Sequence, residues 1–242
     1  MEGTVVDLWR SAVANRADEP AYLTQTVRGT WAERSWGEAG REVDELAAGF
    51  LALGVQKGDR VAILARTRLE WALCDWALIS IGALVVPIYP TTSALECAYI
   101  LGNSGARFVV CENDAQREKL EPARRELEAL ERVVLFDAAR DSSELSLDDL
   151  RARGLAQLDE TPNIVERARA AIVEDDPLTI VYTSGTTGPP KGCVLTQRNY
   201  RAMVEMAWPS RTSFSPGIGC SSTFRSHTRS PAWFPFSRRR PA

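Results

Sequence analysis

The chain has 242 residues, of which 45% are hydrophobic and 25% charged, and its formal net charge is −3 at pH 7. This length fits one large domain or two small ones, the composition is typical of a soluble globular protein, and the charge gives no reason to expect nucleic acid as a partner. The five cysteines form no C-x-x-C pair, which disfavours a zinc site or a disulfide framework and favours a reducing, cytoplasmic location.

Strands and helices are predicted to alternate along most of the chain. Residues 4–16 are expected to be helical, residues 21–27 and 31–36 to form a hairpin, and a helix from Trp36 to end at Gly54. The following elements are strand 60–65, helix 69–81, strand 84–88, helix 94–101, strand 108–111, charged helix 116–130 and strand 133–136. This order predicts an α/β fold with a mostly parallel sheet flanked by helices. Residues 137–162, rich in Asp, Glu, Ser and Arg, are predicted to be a solvated excursion.

Neither a signal peptide nor a membrane-spanning helix is predicted. The N-terminus lacks a basic stretch followed by a long apolar one. The most apolar run, residues 77–90, is shorter than the roughly 20 residues that cross a bilayer, and it contains Ser80, Gly82 and Pro87. We interpret this run as the end of a buried helix followed by a buried strand.

The segment from Tyr182 to Gly192 reads Tyr-Thr-Ser-Gly-Thr-Thr-Gly-Pro-Pro-Lys-Gly and lies between apolar runs at 178–181 and 193–196, which are predicted to be strands. Its glycines, at 185, 188 and 192, allow the backbone to approach an anion closely because no Cβ stands in the way. Its hydroxyl groups can donate hydrogen bonds to phosphate oxygens, and its lysine can add a charge-assisted one. The segment therefore predicts a loop that binds a polyphosphate.

Two other interpretations of this segment are less consistent with its residues. A Walker A loop requires Gly-x-x-x-x-Gly-Lys-Ser/Thr at the start of a helix. Counted from Gly185, the second glycine position holds Pro190, Lys191 is followed by Gly192, and two prolines oppose a helix start. An ordinary surface turn seldom combines four serine and threonine hydroxyls, three glycines and a lysine. Cys193, beside the loop, is predicted to be a small strand residue rather than a nucleophile.

Residues 182–192 resemble the phosphate-loop signature of the adenylate-forming (AMP-binding) superfamily, which includes acyl-CoA synthetases, peptide-synthetase adenylation domains and firefly luciferases. Residues 53–55 (Leu-Gly-Val) and 57–63 (Lys-Gly-Asp-Arg-Val-Ala-Ile) resemble the first strand region of that family. The long-chain fatty acid–CoA ligase branch has segments similar to Glu70-Trp71, Gly82-Ala83 and Val86-Pro87-Ile88-Tyr89-Pro90-Thr91. The resemblance extends from residue 4 to about residue 217.

The resemblance implies the N-terminal part of the adenylate-forming fold and an ATP-dependent long-chain fatty acid–CoA ligase reaction. In that reaction a carboxylate attacks the α-phosphate of ATP, and coenzyme A then displaces AMP from the acyl-adenylate. ATP, Mg²⁺ and coenzyme A are the implied cofactors, a fatty acid is the implied substrate, and at most peripheral contact with a membrane is expected. The residues implied to hold the β- and γ-phosphates are Thr183, Ser184, Gly185, Thr186, Thr187, Gly188 and Lys191. The alternatives are an enzyme that adenylates an aryl or amino acid, and a non-catalytic remnant.

The C-terminal residues, 218–242, are rich in Ser, Arg, Pro and Phe without periodicity, and are predicted to be a disordered basic tail after a partial AMP-binding domain at 1–217. If the reading frame is shifted by two nucleotides near Gly217, one possible back-translation gives the peptide PGDRLLLHLPLAHSLAR. This peptide resembles the motif that follows the phosphate loop in the family. We therefore predict a frameshift there, which sequencing the gene tests. In the family, the residues that bind adenine, ribose and magnesium and a late catalytic lysine lie further along the sequence than the end of this chain. This chain is therefore expected to hold no complete catalytic site and to be inactive alone.

Overall fold

The computed structural model describes residues 3–26, 29–139, 142–183, 188–207 and 220–221. The helices are α1 (Val5–Asn15), α2 (Trp36–Ala52), α3 (Leu69–Ile79), α4 (Ala94–Ser104), α5 (Asp114–Glu118), α6 (Leu147–Glu160), α7 (Ile164–Ala170) and α8 (Gln197–Ala207), with a 3-10 turn at Glu121–Ala123. The strands are β1 (Pro20–Gln25), β2 (Trp31–Ser35), β3 (Arg60–Leu64), β4 (Leu84–Ile88), β5 (Phe108–Asn113), β6 (Arg132–Asp137), β7 (Leu145–Ser146), β8 (Pro177–Thr183), β9 (Lys191–Thr196) and β10 (Cys220–Ser221).

The described residues form two sheets, and the larger one has seven strands in the order β7-β6-β5-β3-β4-β8-β9. Every neighbouring pair is parallel except β8 and β9, which form an antiparallel hairpin. The smaller sheet consists of the predicted hairpin, β1 and β2, with β10 parallel to β1. The predicted α/β fold with a mostly parallel sheet is thus confirmed.

Helices cover both faces of the large sheet, which explains why its central strands read as unbroken apolar runs. Val61 and Ile63 of β3 face the layer that contains α1, α2, α3, α6 and α7. Ala62 and Leu64 of the same strand face α4 and the irregular segment after α5. Each face therefore has its own hydrophobic core.

Helix α2 begins and ends where the sequence predicts. At its start the Ser35 hydroxyl accepts a hydrogen bond from the Glu38 backbone N–H, and the Glu38 carboxylate accepts one from the Ser35 backbone N–H. At its end Gly54 has a φ of 89°, and the Val55 N–H donates to the Phe50 carbonyl at 3.0 Å. This left-handed turn favours glycine and satisfies the last carbonyls of the helix.

The charged helix predicted at 116–130 is wrong. Helix α5 ends at Glu118, and only the 3-10 turn at Glu121–Ala123 follows before β6. Pro122 lacks a backbone N–H and its ring opposes helical continuation, so the periodic pattern around it does not produce a long helix. The Arg124 guanidinium instead donates to the Leu130 carbonyl at 2.7 Å, which stabilises an irregular turn.

The solvated excursion predicted at 137–162 is also wrong, because it contains β7 and the 14-residue helix α6. Helix α6 starts with a capping box between Ser146 and Asp149 and packs on α2. A Cβ added at Gly154 would lie 1.8 Å from the Glu45 carbonyl oxygen of α2, so the missing side chain allows the two helices to approach closely. The polar composition of the segment conceals this contact.

Of the predicted tail, only Cys220–Ser221 belong to the described residues, and the boundary at 217 and the frameshift stay predictions. None of the described helices combines the length and the hydropathy needed to cross a bilayer. Cys74, Cys97 and Cys111 are buried free thiols, and Cys193 is an exposed one on β9.

Candidate functional site

The carboxyl ends of the parallel strands lie along one edge of the large sheet. We call this the carboxyl edge and define it by the residues at and after these ends, namely 65–68, 89–93, 112–119, 137 and 183. In open α/β sheets ligands bind outside this edge, near the point where the strand order reverses. Here the strand that follows β3 in the chain, β4, lies on one side of it in the sheet, and the strand that follows β5, which is β6, lies on the other side. The strand order therefore reverses between β3 and β5.

The predicted phosphate loop leaves the sheet at the carboxyl edge. The antiparallel register of β8 and β9 places Thr183 opposite Lys191 and Tyr182 opposite Gly192. The hairpin thus brings together the first and last residues of the predicted site. Gly188 has a φ of 96°, in the left-handed region that favours glycine. The other predicted site residues, Ser184, Gly185, Thr186 and Thr187, lie outside the described residues.

Gly192 has a packing role in the hairpin. A Cβ built at this residue would lie 2.9 Å from the Ile180 Cγ2 atom and 3.2 Å from the Tyr182 ring. The Tyr182 hydroxyl donates to the Asn103 side-chain oxygen of α4 at 2.7 Å. The absence of a side chain at 192 therefore leaves room for the ring that connects β8 to α4.

Lys191 differs from the two other lysines of the chain in its surroundings. Lys57 forms an ion pair with Asp176 at 2.6 Å and donates to the Ala171 carbonyl at 2.6 Å. Lys119 donates to the Pro90 and Thr92 carbonyls at 2.5 and 3.1 Å. The Lys191 side chain is exposed and, within the part of the chain that the structure describes, its ammonium has no ion pair or hydrogen bond. Its ammonium is therefore free of described acidic neighbours and can pair with an anion.

A buried carboxylate lies where the strand order reverses. The Glu112 side chain, at the end of β5, is only 2% exposed and accepts from the Arg66 backbone N–H at 3.0 Å and from its Nε at 2.7 Å. Burial raises the pKa of Glu112, but the hydrogen bonds from Arg66 outweigh burial and hold that pKa below its ordinary value. The pair fixes the turn after β3 to the end of β5.

A second ion pair connects the ends of β3 and β6. The Arg68 guanidinium donates to both Asp137 carboxylate oxygens, at 2.6 and 3.1 Å, and to Glu70 at 2.6 Å. The same guanidinium lies over the Phe136 ring, 5.7 Å from its centroid. These contacts hold the loop between β3 and α3 in one position.

Sequence reasoning located the hairpin and missed the other polar residues of the carboxyl edge. Glu112 and Asp137 each stand at the end of an apolar strand, a signal that could have identified them. Lys119 carries no such signal. No group of three or more His, Cys, Asp or Glu side chains that could hold a metal ion occurs among the residues described.

Comparisons with known proteins agree with this architecture. The sequence model described as AMP-binding enzyme matches residues 9–239. A long-chain-fatty-acid–CoA ligase, FadD15 of Mycobacterium bovis, is 38% identical over 184 residues, which are 75% of this chain and 30% of that protein. A crotonobetaine/carnitine–CoA ligase of Salmonella enteritidis is 31% identical over 209 residues, 83% of this chain and 38% of that protein.

The fold also matches solved structures. The crystal structure of the anthranilate CoA ligase AuaEII in complex with anthranoyl-AMP superimposes with a TM-score of 0.72 at 24% identity, covering 86% of this chain and 37% of that one. The chain thus spans 30% and 38% of the lengths of the two curated relatives. With a family model that matches nearly the whole sequence and the corresponding α/β fold, the chain belongs to the AMP-binding enzyme family.

Proposed function

We propose that this chain supplies the phosphate-binding part of an AMP-forming acyl-CoA ligase whose substrate is a long-chain fatty acid. The observation that carries the proposal is the β8–β9 hairpin, which places Lys191 opposite Thr183 at the carboxyl edge, with an exposed side chain that pairs with no described residue. Hydroxyl, backbone N–H and ammonium donors suit the oxygens of a polyphosphate.

In this proposal Lys191 and Thr183 hold the β- and γ-phosphates of ATP together with Ser184, Gly185, Thr186, Thr187 and Gly188. Mg²⁺ would neutralise phosphate charge when bound with the nucleotide. Donors fixed in place before the reaction stabilise the charge that develops when a carboxylate attacks the α-phosphate. In full-length members of the family, coenzyme A would then take the acyl group and displace AMP.

The long-chain substrate is supported by two observations. FadD15, named as a long-chain-fatty-acid–CoA ligase, shares 38% identity over 75% of this chain. Residues 86–91 also resemble the long-chain branch. A different carboxylic acid is the second candidate, because the relative named as a crotonobetaine/carnitine–CoA ligase shares 31% identity over 83% of the chain.

Binding of Mg²⁺–ATP to the 242-residue chain, measured by isothermal titration calorimetry, tests the phosphate site. We expect Lys191→Met to weaken binding by about 10-fold or more, since a hydrogen bond to a charged group contributes about 1.5 to 3 kcal/mol. Lys57→Met is the matched control, because Lys57 lies at the opposite edge of the sheet, and it should bind like the unmodified chain. Absence of binding by the unmodified chain, or equal loss in both variants, would contradict the proposal.

The complete reaction is assigned to the longer proteins that this chain resembles, since the chain spans 30% of the length of FadD15. We therefore expect the purified chain to bind Mg²⁺–ATP without catalysing palmitate-dependent exchange between ATP and pyrophosphate. Clear exchange by the 242-residue chain would contradict this expectation.

A further inference from the structure

Lys119 connects two loops of the carboxyl edge. It directly follows α5, on the connection that leaves β5, and its ammonium donates to the carbonyls of Pro90 and Thr92 in the loop after β4. In the sheet β3 lies between β5 and β4, so Lys119 reaches across the end of β3. Half-buried and engaged at two carbonyls, it holds the loop from the side of β5.

The loop that Lys119 holds is a compact turn. The Thr92 N–H donates to the Tyr89 carbonyl at 3.0 Å, and Ser93 and Glu96 form the capping box that starts α4. Pro90 has no backbone N–H with which to fix itself. Its carbonyl and that of Thr92 point to Lys119, and the Cys97 thiol also approaches the Thr92 carbonyl at 3.8 Å. Apart from that weak thiol contact, Lys119 is the only described side-chain donor to these two carbonyls.

The register of the sheet places this turn beside the base of the candidate phosphate site. Val85 of β4 pairs in parallel with Thr179 of β8. Counting along both strands puts Ile88 level with Tyr182, so the turn at 89–92 leaves the sheet at the level of Thr183. Thr183 is in turn opposite Lys191.

From these contacts we propose that Lys119 is a positioning residue. By fixing the turn at 89–92, it supports the ends of β8 and β9 and keeps Thr183 and Lys191 in the arrangement that binds phosphate. Lys119 itself does not contact the nucleotide. The expected effect of Lys119 on nucleotide binding rests on the proposed function. The support of β8 and β9 by Lys119 does not, because it can be measured without any ligand.

Amide hydrogen exchange of the 242-residue chain tests the support directly, with Lys57→Met as the matched control. Lys57 is also a lysine that donates to a carbonyl, but it lies before β3 at the opposite edge. Because Lys57 also forms an ion pair with Asp176, directly before β8, the two variants are compared on peptides 89–93 and 191–196. In Lys119→Met we expect exchange about tenfold faster in peptides covering 89–93, and likewise in 177–183 and 191–196. Lys119→Arg, which keeps a charged donor, should restore slow exchange. If Lys119→Met lacks the circular dichroism of a folded chain, Lys119→Gln takes its place.

Mg²⁺–ATP titration is the second measurement. We expect Lys119→Met to weaken binding by about tenfold, Lys119→Arg to retain it and Lys57→Met to leave it unchanged. Faster exchange confined to 89–93, or equal effects in the Lys57 and Lys119 variants, would overturn the role of Lys119. If the unmodified chain binds no nucleotide, the proposed function fails, and the exchange of 177–183 and 191–196 alone decides whether Lys119 supports the hairpin.

Discussion

At the scale of single residues, the carboxyl groups of Glu112 and Asp75 have pKa values that are shifted in opposite directions. Glu112 is buried but receives hydrogen bonds from Arg66, which keep it charged. Asp75, on α3, is half-buried, and its carboxyl group accepts no hydrogen bond within the described residues. Burial raises the pKa of Asp75 to about 7. Burial also raises the pKa of the Tyr200 phenol, on α8, to about 12, with a smaller contribution from the charge of Asp75.

The raised pKa of Asp75 predicts a stability that falls as pH rises. Between about pH 4 and pH 7 the folded chain retains a proton that the unfolded chain releases, so the free energy of unfolding decreases through this range. We expect Asp75→Asn to raise the free energy of unfolding at pH 8 by roughly 1 to 3 kcal/mol and to leave it unchanged near pH 3.5. Urea denaturation at both pH values measures this.

Asp159→Asn is the control, because Asp159 is an exposed residue of α6. Its effect should stay within about 0.5 kcal/mol at either pH, as is usual for surface substitutions. A variant with Asn at position 75 that is less stable than the unmodified chain at pH 8 would show that the Asp75 carboxylate is stabilised in the folded state.

At the scale of secondary-structure elements, the contact between α2 and α6 depends on small residues. Gly154 of α6 lies against the backbone of Glu45 and Gly49, and a Cβ added at Gly49 would lie 2.3 Å from the Leu150 carbonyl oxygen. Leu147 and Leu150 complete the buried side of α6. Two helices can approach this closely only where side chains are absent from the point of contact.

We expect Gly154→Ala to lower the free energy of unfolding by about 2 to 3 kcal/mol, because the new methyl group overlaps the α2 backbone. Gly102→Ala is the matched control on α4, where a Cβ would meet nothing nearer than Leu127 at 3.9 Å. That variant should be neutral or up to about 1 kcal/mol more stable, since alanine favours a helix over glycine. Thermal and urea denaturation compare the two, and equal stabilities would refute the close-packed contact.

The elements also explain what the sequence can and cannot predict. The start and end of α2 follow from local signals, the Ser35–Glu38 capping box and Gly54. The buried side of α6 includes a glycine, so hydrophobic periodicity does not reveal it. The β8–β9 hairpin is predictable because its two apolar strands and its glycine-rich turn form one continuous segment. Lys119 is not, because its partners are carbonyls about 30 residues earlier, which only the strand order brings near.

At the scale of the whole molecule, the described structure exposes apolar side chains on its last sheet strand and on the helix that follows that strand. Strand β9 ends the sheet, and Val194 on this strand is 52% exposed. Met203 and Met206 on the following helix α8 are 47% and 75% exposed. An edge strand beside exposed apolar residues promotes pairing between chains.

We therefore expect the 242-residue chain to associate as its concentration rises. Size-exclusion chromatography with light scattering should show a mass above that of the monomer at high concentration. The double variant Val194→Lys and Met206→Lys should reduce association, because charge at an edge opposes pairing. Leu155→Lys, an exposed residue of α6, is the control and should associate like the unmodified chain. A monomer at every concentration would contradict this expectation.

The distribution of lysines makes the candidate site accessible to selective chemistry. The chain has three lysines among 242 residues, and the ammonium groups of Lys57 and Lys119 are engaged by carbonyls or a carboxylate. An amine-reactive reagent should therefore modify the exposed Lys191 before the other two side chains. The label at Lys191, distinguished by mass spectrometry from a label at the N-terminal amine, can then report whether a nucleotide shields the base of the hairpin, without any substitution in the chain.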